Sequence, residues 1–314
     1  MKLGFSLPVA GGWATPDNMV AVAETAEHLG YDSLWTVSRL LYALDPQNDY
    51  PQAPGQPWPS VFKSIDDALA VLSFIAAKTS RIRLGTAVVN FPYYSPPILA
   101  KQLATIDRLC SGRLTVGAGL GWSKDEYLAA GVSFVRRGAR MDEFLRLLKH
   151  IWTESEVAFS GDFYELPRSL VEPKPVQSPH PPILVGGYAE ATIRRAVTLA
   201  DGYIGGNVPL SEVTPLLESL SEAAESHGRD PKDLQLVSRG SLRIYDTPQG
   251  GERRPLFGSV EEIRADIERY RESGLTELFL ELNFDPSFAD VDADPSQSLE
   301  RALWLMEELK PAAS

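Results

Sequence analysis

Two glycine clusters stand out as segments whose residue types and spacing could hold a charged ligand. Gly186-Gly187 follows the buried run Ile183-Leu184-Val185 and precedes a helical pattern. Two glycines at such a junction let backbone N–H groups approach an anion, and the helix dipole favours a phosphate there. A tight turn with no ligand fits the spacing equally well. The second cluster, Gly117-Ala118-Gly119-Leu120-Gly121-Trp122, imitates a dinucleotide fingerprint. Its third glycine arrives one residue early and no helix is expected to open there. The chain holds no Gly-x-x-x-x-Gly-Lys-Ser/Thr phosphate loop and no Gly-x-Ser-x-Gly elbow. His28, His150, His180 and His227 lack metal-ligand spacing, so no metal is expected. Cys110 is the only cysteine, which excludes an internal disulfide. Lying inside an apolar helical repeat, it reads as core filler rather than as a nucleophile.

Composition bounds the scaffold that must hold these residues. The chain has 314 residues, 44% hydrophobic and 23% charged, which fits a globular protein and argues against disorder. Lys plus Arg is 30 against 42 Asp plus Glu, a net charge of −12 with no basic run. Nucleic acid and anionic membrane surfaces are therefore poor partners. The longest apolar stretch, Ala68 to Ala77, is about half of a membrane span. Pro8 and Gly11-Gly12 interrupt the N-terminal apolar segment before a signal-peptide core, so a cytoplasmic location is expected.

Helix punctuation is legible. Thr15-Pro16-Asp17 supplies a cap, Met19, Val22, Ala26 and Leu29 share a face, and Gly30 is the stop. Ser259 and Glu262 form a capping box for a helix ending at Gly274. Further helices are expected over Asp66 to Lys78, from Pro97 to about Cys110, over Arg137 to Trp152, and around Leu299, Leu303, Met306 and Leu309. Between the helices lie short buried-strand runs: Leu3 to Leu7, Ser33 to Val37, Ile82 to Val89, Leu114 to Gly119, Ile183 to Val185, Gly202 to Ile204, Leu234 to Ile244 and Leu278 to Leu282. About eight strand–helix units in strict alternation imply a parallel sheet. The length suits a barrel of roughly 250 residues plus insertions, and no linker divides the chain. The expected fold is one α/β domain, residues 1–314, a (β/α)8 TIM barrel with loop insertions.

In such a barrel the active site lies at the carboxyl ends of the strands. Two long connections there are conspicuous, Ser38 to Lys63 and Gly119 to Arg136. Their aromatics, with those of a neighbouring loop (Tyr42, Tyr50, Trp58, Tyr93, Tyr94, Trp122), could line a flat apolar cleft. A third insertion, Glu154 to Pro182, contains a small hairpin around Gly161-Asp162.

The motifs RIRLGTAVV (81–89), LAKQLATIDRLCSGRLTVGAGLGW (99–122), FVRRGARMDEFLRLLKHIW (134–152), PKPVQSPHPPILVGG (173–187) and LADGY (199–203) resemble the luciferase-like monooxygenase superfamily, specifically its F420-dependent oxidoreductase branch. The resemblance spreads over nearly the whole chain. It implies a barrel that binds a flavin-like tricycle at the strand ends. It also implies a bulge with a non-prolyl cis peptide near Ala87-Val88, with Thr86, Ala87 and Val88 behind the ring. Gly119 and Trp122 would pass beside the ring, Glu126 would be a helix-side carboxylate, and the cofactor phosphate would meet Gly186-Gly187. Arg136, Arg137, Arg140 and Lys174 are candidates for the polyanionic F420 tail. Dimers are usual among relatives.

Two departures qualify the resemblance. Sugar-phosphate dehydrogenases of the superfamily carry Asp-His after the second strand and Glu after Gly-x-Gly on the fourth. Here those positions are Ser38-Arg39 and Leu120. Arg39, the candidate catalytic residue, offers a permanently charged donor that could hold a carboxylate or orient the cofactor, or simply pair with Asp45 or Asp49. The expected activity is hydride transfer between F420 and a small organic substrate. The alternatives are an FMN-dependent monooxygenase and a non-catalytic F420-binding barrel.

Overall fold

In the computed structural model, which describes residues 1–187 and 189–312, eight parallel strands close on themselves. They are β1 (Lys2–Ser6), β2 (Ser33–Thr36), β3 (Arg83–Thr86), β4 (Leu114–Gly119), β5 (Ile183–Gly186), β6 (Gly202–Gly206), β7 (Gln235–Ser241) and β8 (Glu277–Glu281). Each pairs with the next, and β8 returns to β1 through Lys2↔Glu277 to Phe5↔Leu280. This is a TIM barrel, as the alternation implies.

The outer helices are α1 (Pro16–Leu29), α2 (Ala68–Ala76), α3 (Pro96–Leu109), α4 (Arg137–Thr153), α5 (Glu190–Thr198), α6 (Leu210–Ser226), α7 (Val260–Glu272) and α8 (Pro295–Glu308). Their ends obey the sequence signals. Thr15 accepts the Asn18 amide, Gly30 stops α1 at φ 82°, and Ser259 and Glu262 cap α7 reciprocally. Four expectations need adjustment. The third helix opens at Pro96, because Ser95 is extended and takes the cap position. The run Ile82 to Val89 breaks after Thr86. The run Leu234 to Ile244 stops at Ser241, and Arg243–Ile244 pairs separately with Phe257–Gly258. In α8 the buried face is Ala302, Leu305 and Met306, leaving Leu299 and Leu303 half-buried.

Cys110 ends α3 fully buried, and burial pushes its thiol up. The insertion forms an antiparallel hairpin, Val157–Ser160 with Glu165–Ser169. Its turn is held by Glu143 of α4, whose carboxylate accepts the amides of Asp162, Phe163 and Tyr164. Among the described residues no helix is long and apolar enough to cross a membrane.

The barrel interior is layered. At the amino-terminal end Glu277 accepts from Ser33 and from Trp35 Nε1 (3.0 Å) and pairs with Arg83. The middle layer is apolar: Trp35 stacks on Phe279 at 5.1 Å beside Leu184, Ile204 and Val237. The upper layer turns polar, because two residues further along β7 and β8 the same inward phase brings Arg239 and Glu281 to the carboxyl end of the barrel, with Ser241 two residues beyond Arg239 and paired with Glu281.

Candidate functional site

At that mouth lies a cavity of about 330 Å³, within the range of small-molecule sites. One wall is the interruption of β3. The ladder between β3 and β4 runs to Gly85↔Thr115, stops, and resumes at Val89↔Ala118. Between them the Ala87-Val88 peptide is cis, where the resemblance places it. Thr86 fills the gap: its hydroxyl donates to the Gly117 carbonyl and accepts the Gly117 amide, both at 2.9 Å. Backbone groups left idle by the bulge are thus satisfied by a side chain. Thr86 itself is fully buried behind the wall, while Ala87 and Val88 line the cavity.

Glycines line much of the remainder. Gly119 lies against Val88 and Asn90 so closely that a Cβ there would collide with both side chains. Gly187 has φ 143°, a conformation only glycine adopts readily, and a Cβ would press on the Thr192 hydroxyl of α5. Gly186, Gly205 and Gly206 continue the same backbone-lined face. Gly121, at φ 77°, leads into a short helix, Lys124–Ala129, capped by Ser123. A helix does therefore open soon after the Gly117–Trp122 cluster, contrary to the sequence reading.

The long loop after β2 brings Arg39 into the lining. Its guanidinium stacks among Trp122 (4.5 Å), Phe62 (4.9 Å) and Trp58 (5.3 Å). Its counter-ion is Glu126, at 2.9 Å, and neither Asp45 nor Asp49. Burial pulls the Arg39 guanidinium below its ordinary value, and Glu126 opposes the shift. Glu126 is fully buried behind the wall and absent from the lining. It also accepts the Leu40 amide (2.8 Å) and the Tyr93 hydroxyl (3.0 Å). Burial and the Glu126 charge push that hydroxyl up.

Of the loop aromatics, Tyr50 and Trp122 reach the cavity. Trp58 packs edge-on against Trp122 from behind, Tyr42 packs edge-on against Trp58, and Tyr93 and Tyr94 lie outside the lining. Ser38 and Leu120 face the cavity, so the positions that carry Asp-His and Glu in the sugar-phosphate dehydrogenases are present without acid or base. Among the described residues no Asp, Glu, His, Lys or Cys lines the cavity.

The four tail candidates separate. Arg136 pairs with Asp162 at 2.5 Å on the surface, and Lys174 donates to the Ile151 carbonyl at 2.7 Å. Arg137 and Arg140 lie over Phe134 and Phe163, with buried Nε atoms that have no partner.

Sequence reasoning missed Arg239, which lines the cavity from β7, and Glu281 beside it on β8. The available signal was the period of two: Val237, Arg239 and Ser241 share one phase, as do Phe279 and Glu281.

Comparison with known proteins bears on this site. A family model described as luciferase-like monooxygenase matches residues 1–254. An F420-dependent glucose-6-phosphate dehydrogenase of Kineococcus radiotolerans is 34% identical over 255 residues, 79% of this chain and 69% of that protein. An FMNH(2)-dependent dimethylsulfone monooxygenase of Pseudomonas putida is 32% identical over 169 residues, 53% of this chain and 46% of that protein. The crystal structure of the monooxygenase RslO1 from Streptomyces bottropensis superposes with a TM-score of 0.77 at 24% identity, covering 98% of both chains.

Proposed function

The chain belongs to the luciferase-like monooxygenase family, and from that premise we propose that it is an F420-dependent oxidoreductase acting on a small organic substrate. The observation that carries this reading is the shape of the cavity: the bulged Ala87–Val88 wall on one side and glycine backbone at Gly119, Gly186 and Gly187 on others. Such a slot fits a flat tricycle, because glycine lets backbone approach a ring face where a Cβ would intrude.

In this reading Ala87 and Val88 back the ring, and Gly119 and Trp122 flank it. Gly186-Gly187, at the start of α5, takes the phosphate. Thr86 and Glu126 act from behind, the first by pinning the bulge to Gly117 and the second by holding Arg39 and its loop. When bound, F420 supplies a ring carbon that gives or accepts a hydride, which is chemistry the side chains lack. The chain's contribution is positioning and exclusion of water by Val37, Phe62, Trp122 and Phe284. With Ser38-Arg39 and Leu120 at the cavity, a histidine-assisted oxidation of a sugar alcohol has no residue to carry it.

The second reading is an FMN-dependent monooxygenase, favoured by the likeness to the FMNH(2)-dependent enzyme. Titration of the protein with oxidised F420 and with FMN, followed by competition, separates the two. Saturable F420 binding that equimolar FMN does not displace supports the proposal. Displacement by FMN supports the monooxygenase, and binding of neither removes both. Hydride exchange with a panel of enones and imines then distinguishes an enzyme from a barrel that only holds the cofactor.

A further inference from the structure

The protein carries a net charge of −12, yet the lining of its cavity holds two guanidinium groups and, among the described residues, no carboxylate. A site of opposite sign to the rest of the surface concentrates anions. The two arginines are not equivalent. Arg39 is answered by Glu126 at 2.9 Å. The Arg239 guanidinium makes no ion pair or hydrogen bond among the described residues; its Nε, like that of Arg39, is buried without a hydrogen-bond partner. It lies over the face of Phe284, at 4.5 Å.

The nearest acid does not repair this. Glu281 lies on the adjacent strand, opposite Ser241 in the register. One of its oxygens accepts from the Asn283 amide and from Asn283 Nδ2, each at 2.7 Å, and the other has no partner. Burial disfavours its charged form and the Arg239 charge opposes that shift, yet the two side chains form no ion pair. A half-buried guanidinium that faces a cavity without an ion-pair partner leaves donors that a ligand can complete. Its planar fork matches a carboxylate, and Val37, Phe62 and Phe284 in the same lining suit an apolar body.

We propose that Arg239 anchors a carboxylate on the substrate, so that the cavity selects flat organic acids over their neutral analogues. This rests on reading the cavity as the reaction site, but its test needs no cofactor. Calorimetric titration of the protein with trans-cinnamate and with cinnamamide compares two molecules of one shape that differ in charge. Cinnamate is expected to bind roughly tenfold or more tightly than the amide, and to weaken as ionic strength rises while the amide does not. Arg239→Met is expected to remove that preference and Arg239→Lys to restore part of it, with cinnamamide affinity unchanged in both.

Equal affinity for acid and amide in the wild-type protein overturns the proposal, whether or not the variants fold. So does cinnamate binding that survives Arg239→Met. If the variant loses affinity for F420 or FMN instead, the guanidinium serves the cofactor and the proposal also fails. Failure of the wild-type protein to bind F420 would sink the functional reading while leaving the cinnamate comparison intact.

Discussion

Arg39 Nη2 lies 2.9 Å from Glu126 Oε1, and this contact ties the loop after β2 to the short helix after β4, with both side chains removed from water (7% and 0% exposed). The same carboxylate accepts the Leu40 amide and the Tyr93 hydroxyl, so one acid organises three segments around the cavity. Removing it leaves a buried cation and two donors without partners. Glu126→Ala is expected to lower unfolding stability by about 3–5 kcal/mol in urea titrations. Glu126→Gln, which keeps an acceptor, should lose less, and equal stability of Glu126→Ala and wild type would contradict this role.

Thr86 replaces the missing ladder bonds at the β3 bulge. Thr86→Val keeps shape but strands the Gly117 amide and carbonyl, a loss of about 1–3 kcal/mol. Thr86→Ser should recover most of it, measured as the difference in unfolding midpoints.

The tight fit of Gly119 against Val88 and Asn90 predicts a functional cost for one added methyl group. Gly119→Ala should displace the bulged wall and weaken F420 binding roughly tenfold or more, with a stability loss of about 1–3 kcal/mol. Unchanged affinity, measured by titration, would separate this wall from the cofactor.

Arg137 and Arg140 open α4 close to Tyr127, whose hydroxyl donates to the carbonyl of the cavity residue Leu120. Their unpartnered Nε atoms distinguish them from Arg136 and Lys174, which are engaged elsewhere. Arg137→Met and Arg140→Met should therefore weaken F420 binding and flatten its salt dependence, while Arg136→Ala leaves both unchanged.

Glu281 predicts a pH signature. Burial raises its folded-state pKa above the ordinary 4.5, opposed by Arg239 and by the hydrogen bonds from Asn283, while Ser6 lies close by and Ser241 faces it across the register. A raised carboxyl pKa means that the folded state holds the proton longer than the unfolded chain. Its contribution is thus fully present below the unfolded pKa and lost as pH rises through the folded one. Glu281→Gln cannot lose a proton there. Its stability relative to wild type should rise as pH increases above about 4.5, read from paired urea midpoints. A constant difference across that range would contradict the assignment.

The barrel was legible because its signals are local. A cap at Thr15, a stop at Gly30 and a box at Ser259–Glu262 each act within one helical turn, and their order implies alternation. The Gly186-Gly187 turn was legible for the same reason. What sequence did not reveal was long-range pairing. Asp45 and Asp49 lie near Arg39 along the chain, but Glu126 meets it because two loops converge over the barrel mouth. Arg239 and Glu281 were hidden in apolar runs, since reading a strand as buried overlooks which phase points inward and where the barrel layers end.

The most direct measurement is a crystal structure of the protein grown with saturating F420. The ring is expected to lie against Ala87–Val88 beside Gly119, with the first phosphate at the Gly186-Gly187 turn. A ring bound elsewhere, or a turn that contacts no part of the cofactor, would contradict this placement.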